Sequence, residues 1–293
     1  MELKWLEDLL VLLEEKSISR AALRRHVTQP AYSRRVRQLE RWLGIELVDR
    51  ATKPIKIRES AVALEDEVRD LVNRFYALRN SVLESSERIT FVAQHTLAIS
   101  RFPVMIREVK EQLPESSYRV VPANYEECET LFYNEADLLL CYQTLQRHFD
   151  FSHNAVHRLS LGQDRLIPVA SAQLAAQLGQ LEPGMAIPLL MYQQGGFLAD
   201  ALANSCLPGV IRDYRVETIC ESAFSASLKE MALAGMGIAW LCGDLIEQEI
   251  DEQLLVSYAA QLGQTELDIV LYYRDTELAV RVGEILARRA EAT

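Results

Sequence analysis

From Ser60 to Glu87 the chain contains neither Gly nor Pro, and apolar or aromatic residues fall at Ala61, Leu64, Val68, Leu71, Phe75, Leu78 and Val82. The steps run 3, 4, 3, 4, 3, 4, which keeps one apolar seam on a single helical face for three repeats. This predicts a long helix, and the seam must be covered. It packs either on its own domain or on the same helix of a second chain. The strict alternation, between two segments of unlike composition, favours the second: a dimerising linker over residues 60–87. The segments on either side, 1–59 and 88–293, are then read as separate domains.

Their charges differ sharply. Residues 17–58 hold 11 Lys and Arg against Glu40, Glu46 and Asp49, a net of +8, in a chain whose total is -11. The other 251 residues therefore carry -19. A basic block on an acidic body is the footprint of a nucleic-acid-binding module joined to something else. The body is globular in composition, with 49% hydrophobic residues, 12 Gly and 9 Pro. Five cysteines without a CxxC pair suit a reducing compartment. The acidic start Met1-Glu2-Leu3-Lys4 is unlike an export signal. The longest apolar run, Met231–Gly243, has 13 residues, too few for a span. A cytoplasmic protein without membrane association is expected.

Ahead of the basic block, residues 3–16 read as a helix with Trp5, Leu6, Leu9, Leu10, Leu12 and Leu13 mainly on one side. Ser19 reads as the N-cap of a second helix, Arg20–His26, with Ala21, Ala22 and Leu23 turned inward. Thr28 caps a third, Pro30 suits its first turn and Gly44 closes it after Leu43, with Ala31, Val36 and Leu39 as core contacts. Ile45–Val48 and Ile55–Ile57 read as two short strands around Thr52-Lys53-Pro54. Three helices and a two-stranded wing make an all-α winged helix-turn-helix. Such a third helix enters the major groove N-terminus first. Gln29, Ser33 and Arg37, spaced i, i+4, i+8, share its face, and Gln and Arg pair with adenine and guanine edges. Arg34 reaches a base or a phosphate. Arg35, Arg41, Arg50 and Lys53 read as phosphate contacts, with Arg50 alternatively an ion-pair partner of Asp49 or Glu46.

The run Thr28-Gln29-Pro30-Ala31-Tyr32-Ser33-Arg34, followed by Leu39-Glu40 and Leu43-Gly44, closely resembles the N-terminal domain of LysR-type transcriptional regulators. The resemblance extends loosely through the chain, to Ala234-Gly235-Met236-Gly237-Ile238-Ala239. It implies that Gln29, Pro30, Ser33 and Arg34 lie at the DNA, with Thr28 beside them, and that dimers assemble further, commonly into tetramers. It implies no cofactor. The Lys53-Pro54 turn and Glu59-Ser60-Ala61 depart from the family pattern, so wing contacts transfer less directly than helix contacts.

After Arg88, strand-like runs alternate with helical ones: Ile89–Ala93, Tyr118–Val121, Ala136–Cys141, Leu166–Ala170, Ala186–Tyr192, Val216–Cys220, Gly237–Leu241 and Leu267–Tyr273. This predicts an α/β fold with largely parallel sheets. Leu161–Asp164 and Leu262–Gln264 read as two crossovers. They divide the domain into a first lobe of about 88–162 and 266–293 and a second of about 163–265. The result is a periplasmic-binding-protein-like regulatory domain, whose ligands sit between the lobes near strand C-termini. Thr96 or His95 is read as the cap of an apolar helix from Leu97 to about Glu111, and the resemblance puts Thr96 in the effector pocket. Resemblance and strand order add Gln194-Gly195 and Ser222–Ser225, with Ser225 as another N-cap and Gln143 in the remaining wall.

Two other readings stay open. Oxidation of Cys or Met, for instance Met231 or Met236, would replace the ligand given an exposed, activated sulfur. A two-lobed solute-binding protein would explain residues 88–293 but not the basic head. His148, His153 and His157 lie in a stretch without helical period and make a poor metal site. No triad, P-loop or GxGxxG is present, and no enzyme is expected.

Overall fold

Leu6, Leu9, Leu12 and Leu13 line the buried face of α1 (Leu3–Glu15), the first element of a unit that runs Met1–Ser85; a second unit comprises Ser86–Thr293. The computed structural model describes residues 2–50, 52, 55–83, 88–151 and 155–290. In the first unit α2 (Ile18–Arg24), α3 (Gln29–Leu43), β1 (Val48–Asp49), β2 (Lys56–Ile57), α4 (Glu59–Val62) and α5 (Glu65–Leu83) follow α1. The strands pair antiparallel, Val48 opposite Ile57. Gly44, at φ 74°, closes α3 by donating its N–H to the Glu40 carbonyl.

Several local expectations shift. α2 begins at Ile18 rather than Arg20, because Ile18 is buried; Ser17, not Ser19, is its cap, accepting from Arg20 N–H at 3.5 Å. Leu23 points outward, 77% exposed, and Ala31 is only half-buried. Tyr32 takes the core position instead, its hydroxyl donating to the Asp8 carbonyl. Thr28 stands at the N-cap of α3, but its side chain accepts no cap hydrogen bond.

The linker is not one helix. It breaks at Ala63-Leu64, and α5 restarts with Glu65, Asp66 and Glu67 in its first turn, where acids complement the helix dipole. Its seam also divides. Ala61 and Val68, with Val72, are buried in the first unit's core, whereas Leu71, Phe75 and Leu78 are 51%, 51% and 63% exposed. Residues 84–87 lie outside the described residues, as does the side chain of Val82.

The second unit contains, in chain order, β3 (Arg88–Gln94), α6 (His95–Ile99), α7 (Phe102–Gln112), β4 (Ser117–Ala123), α8 (Tyr125–Glu135), β5 (Leu138–Gln143) and β6 (Val156–Ser171). Then come α9 (Ala172–Leu178), β7 (Ala186–Tyr192), α10 (Phe197–Ala203), α11 (Leu207–Asp213), β8 (Arg215–Ser222), α12 (Ser225–Leu233) and β9 (Ile238–Cys242). α13 (Gly243–Asp251), β10 (Leu255–Ser257), α14 (Ala259–Leu262), β11 (Thr265–Arg274) and α15 (Glu277–Ala290) complete it.

The strands form one sheet in the order β4-β3-β5-β11-β6-β9-β7-β8, with β10 paired to β6. It is mixed rather than largely parallel. Each lobe has a parallel set, β4-β3-β5 in the first and β9-β7-β8 in the second; β6 and β11 join them through antiparallel ladders. The first crossover is not a loop between strands. β6 runs 16 residues without interruption, pairing with β11 along its first part and with β9 and β10 along its last. The helix expected over Leu97–Glu111 is two, because Pro103 has no N–H to bond back one turn.

Candidate functional site

The first unit sorts its arginines by partner. Asp8 is completely buried on α1; its carboxylate accepts from Arg25 Nε at 2.9 Å and pairs with Arg35 at 3.3 Å. Arg25 also meets Glu7 at 2.5 Å. Burial opposes the Arg25 charge, yet Asp8 and Glu7 outweigh it and hold its pKa above the usual guanidinium value. Glu40, buried on α3, accepts from Leu47 and Val48 N–H at 3.0 and 3.3 Å and takes both arms of Arg50 at 3.1 and 2.8 Å. Arg50, read from the sequence as a phosphate contact or alternatively as a partner of Asp49 or Glu46, instead pins the wing strand to α3 through Glu40.

Gln29, Pro30, Arg34 and Arg37 remain exposed on α3, with Ser33 half-buried among them. Among the described residues no carboxylate engages Arg34, Arg37 or Arg41. The leading turns of α3 therefore present amide, hydroxyl and guanidinium groups, with no carboxylate among the described residues tied to Arg34 or Arg37. Lys53 lies outside the described residues.

In the second unit a cavity of about 230 Å³ opens between the lobes. His95, Thr96, Gln194 and Gly195, read from the sequence as effector contacts, line it together with Tyr142, Tyr192 and Phe197. Thr96 is not a cap, because α6 is preceded by Gln94; nor is Ser225, which follows Phe224 at the head of α12. Their hydroxyls meet instead across the cleft. Thr96 Oγ1 and Ser225 Oγ are 2.8 Å apart, and Ser225 Oγ lies 2.9 Å from the Tyr192 hydroxyl. Burial pushes the Tyr192 phenol well up. His95 and Phe224, one from each lobe, meet edge to face at 5.0 Å.

Gln143 is not at this cavity. Neighbouring strand residues face opposite sides of a sheet, so Tyr142 lines the cleft while Gln143 faces a second interlobe cavity of about 520 Å³. There it donates to the Tyr272 hydroxyl at 2.6 Å. Ser222 does not line the cleft either; its hydroxyl accepts from Phe224 N–H at 3.1 Å and shapes the turn into α12. Beneath the cleft, the Tyr142 hydroxyl donates to Asp164 at 2.7 Å, and Asp164 accepts from Arg165 and Asp244 N–H at 2.7 and 3.2 Å. Burial and the Asp164 charge raise the Asp244 carboxyl, against the pull of Arg101 at 3.2 Å.

Asn124, Tyr125 and Glu126 also line the cavity and were not foreseen. The spacing of Asn124 and Glu127, which form a capping box, marks a helix start there. Burial raises three thiols, Cys128 to about 12 and Cys141 and Cys242 well above the usual value. His157 pairs with Asp275 at 3.2 Å, and His153 is outside the described residues. Among the described residues no group of His, Cys, Asp and Glu is placed to hold a metal, and no helix is long and apolar enough to cross a membrane.

Residues 3–60 match the bacterial regulatory helix-turn-helix proteins of the lysR family, and residues 84–287 match the LysR substrate binding domain. The HTH-type transcriptional regulator YjiE of Escherichia coli is 30% identical over 266 residues, 87% of this chain and 83% of its own. The structure of Vibrio fischeri DarR in complex with DNA, 26% identical, superposes with a TM-score of 0.57 over 98% of both chains. Full-length HypT of Salmonella typhimurium, a hypochlorite-specific LysR-type regulator, shares the fold at 24% identity and a TM-score of 0.59, over 100% of this chain and 99% of that one.

Proposed function

Because the chain belongs to the LysR family of transcriptional regulators, we propose that its first unit reads double-stranded DNA through the leading half of α3, under control of a small effector held between the lobes of its second unit. It is a DNA-binding regulator and not an enzyme. The observation that supports the DNA reading best is the sorting of arginines. Arg25, Arg35 and Arg50 are tied to buried carboxylates, while Arg34, Arg37 and Arg41 have no such tie among the described residues. Gln29, Ser33, Arg34 and Arg37 face bases, with Thr28 and Pro30 at the leading edge, and Arg41 holds phosphate. Exposed Leu71, Phe75 and Leu78 pair with a second copy, placing two reading helices on two half-sites in the cytoplasm.

The effector reading is supported by the polar and aromatic lining of the smaller cavity, contributed by both lobes. Gln94, Gln193 and Gln194 offer donors and acceptors, and among the described residues no Lys or Arg lines it; a small, polar, uncharged ligand suits it better than an anion. The raised pKa values of the buried thiols speak against oxidation at Cys128, Cys141 and Cys242 as the switch.

Gel-shift titration on the DNA upstream of the chain's own gene tests this. Gln29→Ala and Arg34→Ala should each lose about 1–3 kcal/mol of discrimination against random duplex. Arg41→Ala should weaken both duplexes alike and flatten the salt dependence. Wild-type behaviour in all three would refute the assignment of α3.

A further inference from the structure

Arg147 ends the tight turn that follows β5, in which Thr144 N–H donates to the Arg147 carbonyl at 3.0 Å and Arg147 N–H to the Thr144 carbonyl at 3.2 Å. Its guanidinium is shared between carboxylates of both lobes, Glu126 on α8 of the first and Asp200 on α10 of the second. The guanidinium carbon lies 4.9 Å from the centre of the Tyr125 ring and 5.9 Å from that of Phe197. Those rings, again one from each lobe, stack at 4.8 Å. A planar guanidinium gains from two carboxylates and two aromatic faces at once, as a lysine ammonium does not.

The cluster also has a strategic position. Phe197 lines both interlobe cavities, Glu126 lines the smaller and Asp200 the larger. A ligand in the smaller cavity meets the same Tyr125 and Phe197 rings that Arg147 covers. Resting on the reading of that cavity as the effector site, we propose that the Arg147–Asp200 pair is a clasp that holds the lobes together in the ligand-free chain and is released when the effector takes its place against the rings. The two side chains are 27% and 42% exposed, so dissolved salt screens the clasp. The buried hydroxyls of Thr96, Ser225 and Tyr192, which also join the lobes, are shielded from salt.

Hydrogen–deuterium exchange on the full, ligand-free chain reads lobe opening in peptides covering residues 94–99 and 222–228, which face each other across the cleft. Asp200→Asn weakens the link between lobes and should raise exchange in both peptides about three- to tenfold at low salt. Asp200→Glu keeps the charge and should restore protection. Glu126→Gln leaves the cross-lobe pair in place and should change exchange less than about twofold. Wild-type exchange should rise between about 0.01 and 1 M salt, and that of Asp200→Asn should not. Unaltered exchange in Asp200→Asn, or an equal effect from Glu126→Gln, overturns the clasp. These outcomes need no effector, so they stand apart from the effector reading. That reading fails separately, if Thr96→Val and Gln194→Ala regulate as wild type does.

Discussion

The head and the interlobe cleft handle polar side chains in opposite ways. In the head, buried Asp8 and Glu40 hold three arginines as scaffolding, and the groups on the leading face of α3 stay exposed. In the cleft, the hydroxyls of Thr96, Ser225 and Tyr192 satisfy one another across the lobes, and Arg147 is taken by Glu126 and Asp200. A surface that meets a fixed, highly charged partner gains by keeping its donors ready. A cavity that must exist with and without a small ligand gains by having internal partners for the empty state, since a buried hydroxyl left alone is costly.

The contrast predicts different penalties. Asp8→Ala would leave Arg35 without its counter-charge and Arg25 with Glu7 alone, and should destabilise the head by about 3 kcal/mol, as for other broken buried pairs. Urea unfolding measures this. A cost near zero would mean that Asp8 is no keystone.

Next in size is a change on the open side of the head. Leu71→Glu, at an exposed position of α5, should leave the monomer's unfolding free energy within about 0.5 kcal/mol of wild type. It should nonetheless weaken self-association at least tenfold by light scattering, because a charge on the shared seam loses water without gaining a partner. Unchanged association would assign that seam to something other than a second copy.

The smallest effect belongs to the cleft. Ser225→Ala deletes the hydroxyl between Thr96 and Tyr192 and should cost about 1 kcal/mol, read by thermal unfolding of the second unit. A loss as large as that of Asp8→Ala would erase the distinction between a rigid scaffold and a site that opens.

The same contrast explains what the sequence revealed. α3 was legible because its spacing, Pro30 and Gly44 all act within one helix. The burial of Tyr32 was not, since its hydroxyl finds a partner 24 positions away, at Asp8. The heptad pattern predicted the apolar face of the linker but not its division, because Ala61 and Val68 are claimed by contacts with the first unit's own core. In the cleft, Thr96 came from the family resemblance and Gln194 from that resemblance together with strand order, whereas alternation along β5 turns Gln143 to the larger cavity, one residue away from Tyr142. Arg147 carried no local signal at all. Its partners stand 21 and 53 residues away, and only the folded domain brings them together.

β6 bears on how such a domain moves and on how it can be dissected. Its 16 residues belong to both lobes, and β11 runs beside it. An ordinary two-domain protein bends at a linker that can be lengthened or cut. Here the axle is itself part of each lobe's core, so opening must be a torsion of two hydrogen-bonded strands, with Gly162, at φ 101°, and the register shift between Asp268 and Val270 as the places that yield. Neither lobe should survive as an independent fragment. An inserted residue near Gly162 would not lengthen a tether but rotate every later side chain of β6 to the other face of the sheet.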